Sequence, residues 1–119
     1  MGDGWETRRR REPGNDWIII KLATKGLIKK IEIDTAHFKG NYPDQASVQV
    51  SNFDNNKSLE EIINESQNWK YILDKSKLQA DNIHKYEFDD ISTEGVTHVR
   101  LNIYPDGGVS RLRIFGLKL

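Results

Sequence analysis

The chain has 119 residues without a cysteine, and its 18 Lys and Arg side chains balance 18 Asp and Glu side chains. A chain of this length forms one domain around a single hydrophobic core. The formal net charge of zero excludes a global positive field that would attract nucleic acid or an anionic membrane. The lack of cysteine excludes disulfides, thiolate zinc sites, iron–sulfur clusters and a cysteine nucleophile.

No apolar run approaches the roughly 20 residues that cross a bilayer, and the first residues lack the basic-then-apolar pattern of a secretory signal. We therefore expect a soluble, cytoplasmic protein without a membrane partner. The peroxisome is the alternative compartment, because the terminal Leu117-Lys118-Leu119 partly resembles the Ser-Lys-Leu address.

The segment from Asp3 to Gly14 has neither a helical nor a strand period and is predicted to be a loop. Its basic run, Arg8 to Arg11, is typical of nuclear-localisation or nucleic-acid-binding segments. The run lies among Glu6, Glu12 and Asp16, however, and no aromatic residue that would stack on a base is interleaved with it. We therefore expect no nucleic-acid partner.

Two strands are predicted next. Trp17 to Leu22 is a β-branched run, typical of a strand that is central in its sheet and buried on both faces. A turn at Gly26 then precedes Ile28 to Thr35, where Ile31 and Ile33 alternate with charged residues. This second run is predicted to be a half-buried strand.

The loop from Ala36 to Pro43 follows directly and is indicated by its Gly, Asn and Pro residues. It carries His37 and Asn41 at the exit of a strand, where polar side chains commonly build a site on a rigid scaffold. The next run, Ala46 to Ser51, alternates again, with its valines inward, and is predicted to be a strand.

The segment from Asn52 to Asn68 breaks the period of two. Ser58 is a candidate helix N-cap, and Glu61 completes a capping box three residues later. We predict a short helix that shields apolar surface at the sheet edge. Trp69 to Leu73 and Ile83 to Phe88 are predicted to be two strands that pair with each other in antiparallel fashion. A loop over residues 89–95 follows.

The last predicted element is a β-hairpin from Val96 to Phe115, in which alternating apolar residues flank the turn Pro105-Asp106-Gly107-Gly108. In this arrangement Arg100, Arg111 and Arg113 share the face opposite the core. Three guanidinium groups so close together repel each other unless acids or an anionic ligand lie between them. A salt-bridged sheet face and an anion-binding site both fit this pattern.

About seven short strands, separated by turn signals and accompanied by one helix, predict an all-β fold, an antiparallel β-sandwich. No βαβ pattern and no internal repeat is visible.

Three ordered segments carry a family resemblance: DGWETRRRREPG near the start, IDTAHFKGNYP in the middle and THVRLNIYPDGGVSRLRIFG near the end. Together they resemble the allantoicase family over nearly the whole chain except the predicted helix. The resemblance implies a jelly-roll β-sandwich of the galactose-binding-like type. It also implies hydrolysis of allantoate to ureidoglycolate and urea in purine degradation.

Members of the resembled family contain two copies of this repeat, each with further sequence ahead of the DGWETR motif. The chain is most similar to the second copy and begins close to that motif. We therefore expect residues 1–119 to form one repeat that lacks the upstream strands of a full copy. A second repeat or a homo-oligomeric partner would then complete the protein.

The resemblance also implies a site for allantoate, which needs a cation for its carboxylate, acceptors for its urea N–H groups and a proton donor for the departing urea. Arginine suits the carboxylate because it grips both oxygens. The implied substrate-binding residues are Arg8, Arg9, Asp34, Asn41, Arg111 and Arg113. The implied catalytic residues are Glu6, His37 and Asp106, with His37 or Glu6 as the general acid or base. A purely structural role for His37 stays open.

Metal ligation and two other functions are alternatives to this interpretation. The three histidines lack a short ligand spacing, although His37 would form a cluster if the fold brought it to Asp34 and Asp106. We expect no metal and no other cofactor. The alternatives are a non-catalytic module that binds a small anion or carbohydrate, and a structural repeat that supports an active copy. The charged motif loops favour a small anion over a carbohydrate.

Overall fold

The computed structural model describes residues 5–7, 14–54, 56–88 and 95–118. These residues form, in chain order, β1 Trp5–Glu6, β2 Asp16–Asp34, β3 Gln45–Ser51, α1 Leu59–Ser66, β4 Lys70–Lys77, β5 Ile83–Glu87, β6 Val96–Tyr104, β7 Gly108–Val109 and β8 Arg111–Lys118. Every strand pair among them is antiparallel. The predicted all-β class with one short helix is therefore confirmed.

The long strand β2 belongs to two layers of the fold. Its first part, residues 16–21, pairs with β6, and β3 and β4 continue the first layer beyond β6. Its second part, residues 26–34, lies between β8 and β5 and forms the second layer with them. The pairing register shifts between Lys21 and Gly26, so the turn predicted at Gly26 is an irregularity within one continuous strand.

The hydrophobic core lies between the two layers. Alternate residues of β2, β3 and β6 point inward, as the period of two predicts. The buried cluster consists of Ile28, Ile31, Ile33, Ala46, Val48, Val50, Leu78, Val96, Val99, Leu101, Ile103 and Val109. Trp5 packs against this cluster from β1, so part of the segment predicted as a loop is a short strand.

Helix α1 begins as the sequence predicts. The Glu61 N–H donates to Ser58 Oγ over 3.2 Å, and the Ser58 N–H donates to Glu61 Oε1 over 3.4 Å, which is the reciprocal pattern of a capping box. Among the described residues, no helix is long and apolar enough to span a bilayer.

The predicted hairpin is wrong. β6 pairs with β3 and with the first part of β2, whereas β8 pairs with the second part of β2. Between them, Gly108–Val109 forms β7 and pairs with Trp5–Glu6, so the chain crosses from one layer to the other instead of folding back on itself. Arg100 therefore lies on a different layer from Arg111 and Arg113.

Two further predictions about pairing are wrong. β4 pairs with β3, and β5 pairs with β2, because the segment between β4 and β5 crosses between the layers. Hydrogen bonds hold both ends of this segment: the Leu78 N–H donates to Asp44 O over 2.9 Å, and the Thr35 N–H donates to Asn82 O over 2.8 Å.

The first part of β2 is not central in its sheet either. Among the described residues it pairs with β6 alone, and Trp17 is 38% exposed. The loop predicted over residues 89–95 lies, except for Gly95, outside the described residues.

The turn after β6 requires a glycine at position 107. Gly107 has a φ of +133°, and a Cβ there would lie 2.7 Å from Pro43 N and 2.8 Å from Asn41 O. Gly107 also exchanges hydrogen bonds with Thr7, whose N–H donates to Gly107 O over 3.0 Å. Any side chain at this position therefore strains the backbone and pushes the two neighbouring segments apart.

Gly107→Ala is expected to lower the free energy of unfolding by about 2 kcal/mol or more, because the strained φ and the backbone clash add. Gly40→Ala is the matched control, since nothing lies within 4 Å of a Cβ there. Urea denaturation of both variants measures the difference. Equal midpoints for the two would show that the turn tolerates a side chain.

Candidate functional site

The three motif segments meet at one end of the sandwich, through backbone hydrogen bonds. The Thr7 N–H donates to Gly107 O over 3.0 Å, which joins the first motif to the third. The Gly108 N–H donates to Asn41 O over 2.8 Å, which joins the third to the second. The Ser110 N–H donates to Asp34 O, also over 2.8 Å. We refer to residues 5–7, 34–44 and 105–111 as the loop cluster.

Besides Glu6, the loop cluster contains five of the predicted site residues that the structure describes. They are Asp34, His37, Asn41, Asp106 and Arg111. Arg111 stands directly opposite Asp34 in the pairing of β8 with β2. One carboxylate oxygen of Asp34 accepts a hydrogen bond from the Ala36 N–H over 2.8 Å, which caps the end of β2. The fold therefore gathers carboxylates, an amide, an imidazole and a guanidinium at one end.

His37 has a backbone conformation that is uncommon for its residue type. Its φ is +73°, and its N–H donates to Asp81 Oδ1 over 2.8 Å. The residue is exposed. A left-handed residue with a β-carbon is strained, and such residues concentrate at functional sites and tight turns. His37 is thus an exposed residue within the loop cluster.

The four other predicted site residues have different outcomes. Arg113 lies on the outer face of the second layer, where its Nη1 is 3.7 Å from Glu32 Oε1. Glu32 also pairs with Lys30, over 3.1 Å, so Arg113 matches the salt-bridged interpretation of that face. For Glu6 the structure describes the backbone, which pairs with Gly108. Arg8 and Arg9 lie outside the described residues.

The two other histidines are held within the fold. His84 Nε2 accepts from the Gln79 N–H over 2.8 Å, and its Nδ1 is 2.9 Å from Ile33 O. His98 is buried and stacks on Phe53 with ring centroids 4.0 Å apart. Across the described ranges, no group of three His, Asp or Glu residues is arranged to hold a metal ion.

The family model of the allantoicase repeat matches residues 1–119, that is, the whole chain. The chain belongs to the allantoicase-repeat family. Probable allantoicases of Burkholderia mallei and Rhizobium meliloti are each 55% identical to it, over 98% of the chain and over 34% and 35% of their own lengths. The chain thus spans about a third of these curated relatives.

Solved structures agree with this membership. The crystal structure of allantoicase from Saccharomyces cerevisiae is 39% identical, with a TM-score of 0.79, and the match covers 98% of this repeat and 32% of that chain. CpGH89CBM32-6, produced by Clostridium perfringens, is 18% identical with a TM-score of 0.62, over 97% of this repeat and 77% of that chain. The second likeness shows the fold alone. The predicted jelly-roll sandwich of the galactose-binding-like type is confirmed.

Sequence reasoning missed a set of buried polar residues on the outer face of the first layer of this allantoicase repeat. Outward positions of β3 and β6 carry Ser47, Gln49, Arg100 and Asn102, and all four are buried. Alternation alone places these positions in solvent. A period of two separates the two faces of a strand, but it does not show which other elements cover a face. Three adjacent outward positions with amide or hydroxyl side chains, instead of Lys or Glu, were the available signal.

Burial gives this allantoicase repeat a pH-dependent stability through His98. Desolvation lowers the pKa of His98, and the nearby Lys21 lowers this pKa further. The folded state therefore disfavours the protonated ring. Below the unfolded pKa of about 6.5 the unfolded state binds more protons, so this contribution to stability is present above that pH and is lost as the pH falls.

We expect the melting temperature to fall between about pH 7.5 and about pH 5, and to fall less steeply in His98→Gln. The reason is that the variant lacks the group whose protonation opposes folding. Calorimetry across the pH series measures both slopes. Parallel slopes for parent and variant would assign the acid sensitivity to other groups.

Proposed function

We propose that this repeat contributes to hydrolysis of allantoate to ureidoglycolate and urea, as one part of a protein with two repeats. The observation that carries the proposal is the 55% identity with probable allantoicases over 98% of the chain. The meeting of the three motif segments at one end of the sandwich supports it further. Since the chain spans a third of those relatives, the second repeat is part of the proposal.

The proposed reaction replaces one C–N bond of the central carbon with a C–O bond from water. The urea nitrogen gains a proton, and the attacking water loses one. His37 is the proposed proton donor, because it is an exposed residue of the loop cluster and imidazole is the side chain that most often transfers protons in catalysis. Glu6 and Asp106 are the proposed acceptors of the proton from water.

Substrate recognition in this proposal uses the remaining polar groups of the loop cluster. Asp34 and Asn41 offer oxygen acceptors for urea N–H groups. Arg111 offers a guanidinium to the carboxylate from its position across from Asp34. Arg8 and Arg9 are proposed carboxylate partners on the strength of the motif that carries them. No metal or other cofactor is part of the proposal.

A chimera tests the activity. Residues 1–119 replace the matching segment of the Rhizobium meliloti relative, and urea release from allantoate is measured for the chimera, the parent relative and the isolated chain. We expect the chimera to turn over at about 1 per second or faster, and the isolated monomer to show little or no activity. Sedimentation establishes the association state of each sample.

A folded but inactive chimera beside an active parent would contradict the proposed function. If that chimera also bound allantoate, the non-catalytic binding module would be the better interpretation. A stable monomer of the isolated chain that turns over at the same rate would contradict the requirement for a second repeat.

In the active chimera, His37→Ala is expected to lower kcat about a hundredfold or more with little change in KM, because it removes the proton donor and not a binding contact. Lys39→Ala, an exposed cation of the same loop, is the control and should keep the parent rate. Steady-state kinetics on allantoate measure both. An unchanged kcat in His37→Ala would return His37 to a structural role.

A further inference from the structure

A polar pocket of about 370 Å³ lies on the outer face of the first layer, away from the hydrophobic core. Its size is within the range of about 300–1,000 Å³ that is typical of small-molecule sites. Its walls include the side chains of Trp17, Gln49, Gln67, Tyr71, Arg100 and Tyr104. Among the residues that the structure describes, Arg100 is the only charged one in the lining, and no carboxylate of those residues contributes to it.

Arg100 is buried and held in one orientation. The residue is 7% exposed. Its Nε donates to Asn102 Oδ1 over 2.8 Å, and its Nη1 donates to Ser66 Oγ over 2.6 Å. The indole ring of Trp17 lies against the guanidinium, with 4.6 Å from Cζ to the ring centroid.

The groups that hold Arg100 are themselves fixed. Asn102 Nδ2 donates to Gln49 Oε1 over 2.9 Å, and Gln49 Nε2 donates to Trp69 O over 3.0 Å. This network uses the Asn102 and Gln49 side chains for orientation. The guanidinium is therefore preorganised, which lowers the entropy that a ligand would otherwise lose on binding.

The charge of Arg100 has no anionic partner among the described residues. Between described residues, ion pairs are formed by Lys30, Lys57, Lys77 and Arg113. The groups that accept hydrogen bonds from Arg100 are a neutral amide and a hydroxyl. Desolvation lowers the pKa of Arg100 from a value so high that the group stays charged at neutral pH. A buried cation of this kind is stabilised strongly by an anion that enters the adjoining pocket.

The pocket is continuous with two of the motif segments. Tyr104 lines it and directly precedes the turn that contains Asp106. Gly14 also lines it and ends the first motif. The Asp44 N–H donates to Tyr104 O over 2.9 Å, which ties the rim of the pocket to the loop cluster.

We propose that this pocket binds the carboxylate of a small organic acid, with Arg100 as the group that grips it. Under the proposed function that acid is allantoate, so the identity of the ligand rests on that function. Arg100 is then an alternative to Arg111 as the group that grips the carboxylate. Arg113 already pairs with Glu32, whereas Arg100 combines burial, a fixed orientation and an adjoining cavity.

Calorimetric titration of the 119-residue chain with allantoate tests the proposal, with allantoin as the neutral comparator that lacks the carboxylate. We expect saturable binding of allantoate and at least about tenfold weaker binding of allantoin, since the charge-assisted hydrogen bonds are lost. Arg100→Gln should weaken allantoate binding at least about tenfold. Arg100→Lys should weaken it less, because an ammonium keeps the charge but not the bidentate grip.

Tyr71→Glu provides a second variant that leaves Arg100 in place. Tyr71 lines the pocket and is 47% exposed, so the substitution should not disturb the core. The introduced carboxylate would pair with the Arg100 guanidinium. We expect it to weaken allantoate binding at least about tenfold. Lys85→Gln removes an exposed positive charge from β5 in the second layer and should bind as the parent does. Thermal melting identifies any variant that has not folded.

Parent-like affinity in folded Arg100→Gln or in Tyr71→Glu would overturn the proposal, as would equal affinity for allantoate and allantoin. The binding experiment and the urea-release assay can fail separately, so the two proposals are distinguishable. Arg100-dependent binding without urea release in the chimera would support the pocket and contradict the hydrolase. Urea release with a KM that Arg100→Gln leaves unchanged would do the reverse.

Discussion

The fold depends on the backbone pairing of one strand, β2. Its first part is hydrogen-bonded to β6 in the first layer, and its second part lies between β5 and β8 in the second layer. Because both layers share this strand, neither can shift without breaking hydrogen bonds in the other. The shared strand also sets the position of β6 relative to the loop cluster. It begins beside Ile103, near the end of β6, and it ends at Asp34 inside the loop cluster.

The sequence predicts the faces of the strands well and their partners poorly. The inward positions Ile31, Ile33 and Val48 follow from alternation, and the capping box at Ser58 locates the helix, because both signals are local. Pairing is not local. The hairpin prediction failed because Gly108–Val109 pairs with β1, about a hundred residues earlier in the chain. No periodicity within the last twenty residues contains that information.

The candidate site shows the same division. The resemblance brought Asp34, Asn41 and Asp106 into one site, and the structure gathers them in the loop cluster. Arg100 was assigned to an exposed face with Arg111 and Arg113, since alternation marks all three as outward. What buries it is the end of helix α1 at Ser66, together with Trp17 across the strand pair. A contact between a helix and a sheet face depends on tertiary packing, which a strand pattern does not encode.

The loop cluster is held largely by main-chain atoms. Thr7, Asn41, Gly107, Gly108, Asp34 and Ser110 meet through N–H and C=O groups, with glycine required where the backbones approach closely. Main-chain hydrogen bonds are available to almost any residue type, so most side chains at this end are free to diverge while the architecture persists. After a gene duplication, one copy of such a repeat can exchange its acids and bases for other groups and still fold. The same scaffold can thus evolve toward chemistry in one copy and toward recognition or support in the other.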